Sequence, residues 1–345
     1  MKTIYSENHR LHHTRAELVS GKMVPAFEYP RRAEIVIERI RAVGLGPILE
    51  PRALGLEAAK RVHAPRFVDF LEGAWDAWVA RQGDETDALA FTWPTRSLRD
   101  VEPKTIEGQL GFYSFDAGCG ITKGTFAAAR SAVEVALTGV ALLQEGESSV
   151  FSLCRPPGHH AASDQMGGYC YLNNAAIAAQ ALTDQGRRVA ILDVDYHHGN
   201  GTQQIFYDRA DVLFVSLHGT PETEYPFFLG YADETGFGAG EGANLNFPLP
   251  FGTLWGAFDE ALQTGCRKVK DWGADTLVVS LGLDTYEEDP ISKFKLKSED
   301  FLRMGERIAA LGLPTLFVFE GGYAVEPLGI NTANVLSGFE GAHKL

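Results

Sequence analysis

The hydrophobic positions of this chain fall into two kinds of run. Short stretches that are apolar at consecutive positions are VFSLC (150–154), VAILDVD (189–195), VLFVSLH (212–218), TLVVSLGLD (276–284) and TLFVFEGG (315–322). Continuous rather than alternating apolarity is the pattern of strands covered on both faces. Between them lie longer stretches with helical spacing, such as FAAARSAVEVALTGVALLQ (126–144) and NNAAIAAQALTDQG (173–186). Strands alternating with helices predict an α/β class, with a parallel, doubly wound sheet. No linker, repeat or low-complexity segment splits the pattern, so residues 1–345 are expected to form a single domain.

The polar residues are placed as regularly as the apolar ones. Nearly every predicted strand ends in chemically capable side chains: Arg155 to His160, Asp193 to His198, His218, Asp284, and Glu320 to Tyr323. Ligands of open α/β sheets bind outside the carboxyl ends of the strands, so these ends are expected to converge on one site. Asp193, Asp195 and His197 follow the strand VAIL and are expected to alternate onto one face. Two carboxylates and an imidazole crowded there repel one another unless a cation joins them, and such ligands suit zinc or another first-row divalent ion. An acidic residue at a strand end more often caps a helix or meets solvent. As a third ligand beside Asp195 and His197, however, Asp284 completes the open pattern of a catalytic metal, leaving a position for water and a substrate carbonyl.

In Arg155-Pro156-Pro157-Gly158-His159-His160, a stiff turn presents two adjacent histidines behind a strand end, where an imidazole with an ordinary pKa of about 6.5 suits proton transfer. The other tandem pair, His12-His13, is expected to be structural, in a solvated loop. In Glu320-Gly321-Gly322-Tyr323, paired glycines allow close backbone approach and bring a neutral tyrosine hydroxyl to the site as an oxyanion donor. Without the other motifs, such a segment would read as a loop with a packed aromatic.

Composition narrows the partners. The chain is 45% hydrophobic, and 31 Lys and Arg against 45 Asp and Glu give a net charge of −14. A field of that sign repels nucleic acid and anionic membranes and attracts cations, so neither is expected as a partner. No uninterrupted apolar run reaches the ~18 residues of a membrane span, and MKTIYSENHRLHH lacks the apolar core of a secretion signal. The 4 cysteines show no CxxC spacing, and Cys154 and Cys170 sit where burial is expected. Reduced thiols and a cytoplasmic setting follow as expectations. P-loop, HExxH and GxSxG signatures are absent, and GFGAGEG (236–242) lacks both the GxGxxG order and a following helix. No function is placed on the C-terminal AHKL (342–345).

Taken in order, RPPGHHA (155–161), GGYCYLNN (167–174), LDVDYHHGNGTQ (192–203), LGLDTYEEDP (281–290) and FEGGY (319–323) resemble the motif series of the histone-deacetylase family. GAGEGANLNFPLP (238–250) resembles its glycine-rich stretch, and the likeness extends over nearly the whole chain. The resemblance implies a single-domain arginase/deacetylase fold with a central eight-stranded parallel sheet. It implies one Zn²⁺ per subunit, with Fe²⁺ fitting the same ligands, held by Asp195, His197 and Asp284. His160 would act as general base and then acid, His159 as a partner charged by Asp193, and Tyr323 as the oxyanion donor. Gly168 and Tyr169 would line the substrate tunnel, faced by Tyr225. A structural K⁺ would lie at Asp193, Asp195, His197, Ser216 and the Leu217 carbonyl, and a second at Phe206, Arg209 and Val212. The partner of His160 is Asn200, at a position where members of the family carry Asp or Asn. A neutral amide there predicts a neutral resting His160.

Two features bear on substrate. The stretch from His12 to Arg32, HHTRAELVSGKMVPAFEYPRR, is much longer than the passage to the P-x-R element in eukaryotic-type members, and presents Met23, Val24, Phe27 and Tyr29. Such a loop beside the mouth would narrow the tunnel and could pack across a homodimer interface. A solvent-exposed excursion is the plainer alternative. Glu107, Asp116, Glu222, Glu224, Glu287 and Glu288 are expected near the rim, with Glu107 and Asp116 as substrate-side residues for a thin cationic chain. These features favour the branch of the family that releases acetate from acetylated putrescine, cadaverine or spermidine-type amines. The alternatives are a protein acetyl-lysine deacetylase with the same machinery and a dinuclear manganese ureohydrolase. The latter needs further carboxylates where His159, His160 and Tyr323 stand. The complete catalytic set argues against a non-catalytic binding module.

Overall fold

The structure, a computed structural model, describes residues 1–19 and 21–343; Lys344 and Leu345 of the terminal AHKL lie outside the described residues. Strand β1 (Lys2–Ile4) precedes a hairpin of β2 (Ala16–Val19) and β3 (Lys22–Pro25), helix α1 (Arg31–Val43), β4 (Ile48–Leu49), α2 (Pro65–Gln82) and α3 (Ile106–Phe112). There follow α4 (Thr125–Gln144), β5 (Ser149–Ser152), α5 (Asn174–Thr183), β6 (Val189–Asp193), α6 (Asn200–Phe206) and β7 (Val212–Gly219). The chain continues through β8 (Asn244–Leu249), α7 (Trp255–Trp272), β9 (Thr276–Leu281), α8 (Ser298–Ala309), β10 (Thr315–Phe319) and α9 (Val325–Ala342).

The main sheet is eight-stranded, in the order β4-β1-β5-β10-β9-β6-β7-β8, and every pairing in it is parallel. Its faces explain the continuous apolar runs. Along β6, Val189 and Ile191 enter one core layer with Val133, Ile177 and Phe214, while Ala190 and Leu192 enter the other with Phe258, Val279 and Phe317. Each face is therefore covered by helices, and each apolar position is buried whichever way it points. Helix α4 is apolar and long enough, at 20 residues, to cross a membrane, but it packs on α5, β5 and β10 as a core helix does.

Several expectations are corrected. The 12–32 stretch, expected as a long loop, contains an antiparallel hairpin in which Ala16 pairs with Pro25 and Val19 with Lys22. His12 is buried, its Nδ1 2.9 Å from Thr125 Oγ1, and only His13 stands in solvent. The strand after Val189 ends at Asp193, so the polar residues beyond it are not set by strand alternation. The free cysteines are all buried, as expected of Cys154 and Cys170.

Candidate active site

Strands β5, β10, β9 and β6 are neighbours, so the segments that follow them lie side by side at one edge of the sheet. Beyond β6 the chain is held by side chains accepting from backbone amides. Asp193 Oδ1 accepts from Asp195 N (3.1 Å), Asp195 Oδ1 from His197 N (2.9 Å), and Asp284 Oδ1 from Tyr196 N (2.7 Å). These bonds gather one ligand atom each from Asp195, His197 and Asp284 within 4.8 Å of one another. His197 Nδ1 lies 3.0 Å from Asp284 Oδ2 and 3.4 Å from Asp195 Oδ1. Both carboxylates are fully buried. Burial and the neighbouring Asp195 charge push Asp284 up to about 7, while His159 and His197 overcome burial and hold Asp195 well below the usual carboxylate range. Buried anions facing one imidazole, with two oxygens and a nitrogen converging, are a fitting donor set for a divalent cation. Gly321 closes the cage: its amide donates to Asp195 Oδ2 (2.9 Å), and a Cβ there would lie 2.5 Å from that oxygen and 2.6 Å from Asp284 Oδ2.

The histidine pair stands beside this cage in two different states. His159 Nδ1 is 3.0 Å from Asp193 Oδ2; burial opposes its charge, but Asp195 and Asp193 prevail and raise it to about 10. His160 Nδ1 is 2.7 Å from Asn200 Oδ1, whose amide nitrogen donates to the His160 carbonyl (3.4 Å). An amide oxygen only accepts, so Nδ1 carries the proton and Nε2 the lone pair. Burial and the positive charges of His159 and His197 keep His160 well below its ordinary value. Gly158 N and His159 N donate to Glu320 Oε2 at 2.6 and 3.2 Å, tying the histidine loop to the one that follows β10.

That second loop brings in Tyr323. Its amide donates to Asp289 Oδ2 (2.7 Å), and its ring lies 4.5 Å under the Arg32 guanidinium. Arg32 also donates to the carbonyls of Gly322 and Glu320, both at 2.6 Å. Burial pushes the Tyr323 hydroxyl well above its ordinary range, so it stays a proton donor. His160, His197 and Tyr323 form the foot of a cavity of about 460 Å³. Its walls carry Gly168, Tyr169 and Tyr225, together with Asp116, Phe227 and Glu17-Leu18-Val19 of β2. Gly168 (φ 53°) lies so close to the His160 ring that a Cβ would meet Cδ2 at 2.3 Å.

The histone deacetylase domain profile matches residues 26–339. The chain belongs to that family. It is 61% identical over 345 residues to acetylpolyamine amidohydrolase 2 of Pseudomonas aeruginosa, covering 100% of both chains. It is 49% identical over 342 residues to the acetylpolyamine amidohydrolase of Mycoplana ramosa, covering 99% of this chain and 100% of that one. The crystal structure of an acetylpolyamine aminohydrolase from Burkholderia pseudomallei superposes with a TM-score of 0.95 at 39% identity, over 100% of both chains. With the eight-stranded parallel sheet, this is the single-domain arginase/deacetylase fold.

In this deacetylase frame the expected residues separate. Asp195, His197, Asp284, His159, His160, Asp193, Asn200 and Tyr323 come together at the foot, and Gly168, Tyr169, Tyr225 and Asp116 line the cavity above it. Glu107 does not line the cavity: its carboxylate accepts from Arg81 Nε (2.6 Å) on α2, which corrects its expected place beside substrate. His218 also misses the cavity; its Nε2 is 2.8 Å from the Gly230 carbonyl, at the end of the loop that carries Tyr225 and Phe227. Ser216 pairs with Asp193 across β6 and β7, with Leu217 next to it on the strand. Arg209 donates its amide to the Phe206 carbonyl (3.0 Å), three residues before Val212 opens β7.

Sequence reasoning missed Glu17, Arg32, Glu28 and Asp289. The sequence signals for them were the place of Asp289 in LGLDTYEEDP, the P-x-R position of Arg32 and the i,i+4 spacing of Glu28 and Arg32 in FEYPRR; Glu17 had none.

Proposed function

We propose that this chain is a zinc-dependent amidohydrolase that removes acetate from acetylated polyamines, acting through Asp195, His197, Asp284, His159, His160 and Tyr323. It hydrolyses acetylpolyamines, as its relatives are named for doing. The observation that carries the mechanism is the open Asp-His-Asp cage beside a histidine whose lone pair is free, at the foot of a cavity whose wall holds buried Glu17 and half-buried Asp116. Held by Asp195, His197 and Asp284, Zn²⁺ (or Fe²⁺, which suits the same ligands) would polarise the acetamide carbonyl and lower the pKa of bound water.

The chain's own residues supply the remainder. His160 Nε2 takes a proton from the attacking water as its oxygen bonds to the acetyl carbon. His159, charged by Asp193, balances the negative charge that develops beside it. Tyr323 donates its hydroxyl to the developing oxyanion. When the carbon–nitrogen bond breaks, the amine nitrogen keeps the electron pair and receives the proton from His160, releasing acetate and free amine. A neutral His160, as Asn200 favours, is the state a base requires.

The cavity wall supports a slim cationic substrate. Asp116 accepts from Tyr225 Oη (2.6 Å), and Glu17 accepts from Phe27 N (3.3 Å) in the lining it shares with Tyr169. Both carboxylates lie along the path that a distal ammonium group would take. Structural K⁺ is proposed at Asp193, Asp195, His197, Ser216 and the Leu217 carbonyl, with a second at Phe206, Arg209 and Val212, on the family resemblance. The exposed Leu18, Met23 and Phe228 near the mouth suit a homodimer contact, and buried thiols suit the cytoplasm.

The test is acetate release from acetylputrescine and from an acetyl-lysine peptide by metal-loaded protein, beside Asp284→Ala. Strong turnover of the small amine, lost in the variant, is expected. Preference for the peptide would move the substrate to protein, and turnover of neither would overturn the assignment.

A further inference from the structure

The residue that links the cavity wall to both catalytic loops is Glu28. It lies between β3 and α1 and is 1% exposed. Its Oε1 accepts from Arg155 Nε (2.7 Å) and Arg32 Nη1 (3.0 Å), and its Oε2 from Arg155 Nη2 (2.9 Å). Both arginines are likewise buried. Burial alone would push the carboxyl up, but Arg155 and Arg32 hold it at about 2, so it is charged at any working pH.

The two guanidiniums reach different loops. Arg155 opens the segment that ends in His159 and His160. Arg32 holds the carbonyls of Glu320 and Gly322 and covers the Tyr323 ring. Glu28 is thus one anion shared by two anchors. A third connection runs outward, because the neighbouring Phe27 amide donates to Glu17 in the cavity wall.

We propose that Glu28 is a positioning residue: it fixes the Tyr323 hydroxyl against His160 and couples the hairpin at the cavity wall to that geometry. It does not touch substrate, and the carboxylate is short and rigid enough to set one distance between its two guanidiniums. The inference rests on the roles given above to His160 and Tyr323. A carboxylate that served folding alone would also sit here, so the test must separate placement from stability.

The experiment is a double-mutant cycle on the full-length metal-loaded enzyme, with metal content, melting temperature, kcat and KM for acetylputrescine measured for each variant. Tyr323→Phe alone is expected to lower kcat by ~10²–10³-fold, the usual loss for an oxyanion donor. Glu28→Gln is expected to lower kcat by ~10–100-fold with KM changed less than about threefold, the range seen when a supporting partner is removed. In the Glu28→Gln background, Tyr323→Phe should then cost less than about tenfold, because the hydroxyl is already displaced.

If Glu28→Gln fails to fold, Glu28→Gln with Arg155→Gln keeps the same net buried charge and takes its place in the cycle. Its kcat should stay low even where its melting temperature returns toward that of the parent. Additive losses, or activity that returns with stability, would overturn the role of Glu28. A Tyr323→Phe enzyme of full activity would instead overturn the mechanism on which it rests.

Discussion

The foot and the wall of the cavity are built on opposite principles. At the foot, Asp193, Asp195, Asp284 and Glu320 are 0% exposed, and each accepts at least one backbone amide. Those amides come from segments following three strands of the parallel sheet, β5, β6 and β10, so no carboxylate can shift without releasing a bond elsewhere. The wall is made by the hairpin, the Tyr225 loop and the segments of Asp116 and Gly168-Tyr169, and in it Leu18 is 49% and Phe227 46% exposed. Its polar contacts are few: Glu17 holds Phe27 N, and Asp116 holds Tyr225, Gly118 N and Gly168 N. A rigid foot suits chemistry shared by a family, and a wall carried on separate loops suits a choice of substrate. Substitutions at the foot should therefore act on kcat and metal content, and substitutions at the wall on KM.

The largest effect is expected at the cage. Asp284→Ala should bring turnover down to that of chelator-stripped protein and lower bound metal in parallel, as read by acetate release and metal analysis. Full metal with no turnover would place the cage elsewhere. Stripping the metal should also lower the melting temperature, because ions that bind only the folded state stabilise it.

Next in size is a change of sign at the base. A carboxylate in Asn200→Asp should raise the pKa of His160, since an opposite charge favours imidazolium. His160 must be unprotonated to act, so a depressed pKa keeps the enzyme active as pH falls. Raising it should move the acid limb of the kcat/KM profile upward by about one unit. An unmoved limb would mean that another group sets it.

This division also explains what the sequence disclosed. The strands β5, β6, β7, β9 and β10 were legible because both their faces are buried, leaving continuous apolar runs. Strand β1 has 3 residues, β4 has 2, and β8 alternates buried Asn244 and Asn246 with half-buried positions at the sheet edge, so none carries such a run. The foot was legible because its residues follow strand ends in short motifs. The alternation inferred for Asp193, Asp195 and His197 found the right residues for an incomplete reason, since the side-chain-to-amide bonds beyond Asp193 shape that turn. Arg32 and Glu28 were not legible, because their partners stand 290 and 127 positions away. Nor was Glu17, whose place in the wall depends on a hairpin of mixed, partly exposed residues.

At the wall, Glu17→Gln and Asp116→Asn should each raise KM for acetylputrescine about tenfold, the equivalent of ~1.4 kcal/mol, with kcat within about threefold. Burial pushes both carboxyls upward, but hydrogen bonds from Phe27 N to Glu17 and from Tyr225 to Asp116 favour their charged forms. Attraction of a cation by a charged wall weakens with salt, so the parent enzyme should lose affinity as ionic strength rises and the double variant should lose less. A fall in kcat with unchanged KM would assign these residues to the foot.

The smallest effect is expected at Glu107, and it tests whether acidity as such attracts the substrate. Glu107 and Asp116 are both carboxylates in the segment leading to α4, and composition alone does not separate them. Geometry does: Glu107 is ion-paired with the exposed Arg81 away from the cavity, while Asp116 lies in its lining. Surface ion pairs of this kind contribute little, and their charge is already compensated. Glu107→Gln should therefore leave kcat and KM within about twofold of the parent, where Asp116→Asn raises KM severalfold more. Equal effects of the two changes would show that a diffuse acidic field, rather than carboxylates at defined places in the wall, draws the cationic substrate in.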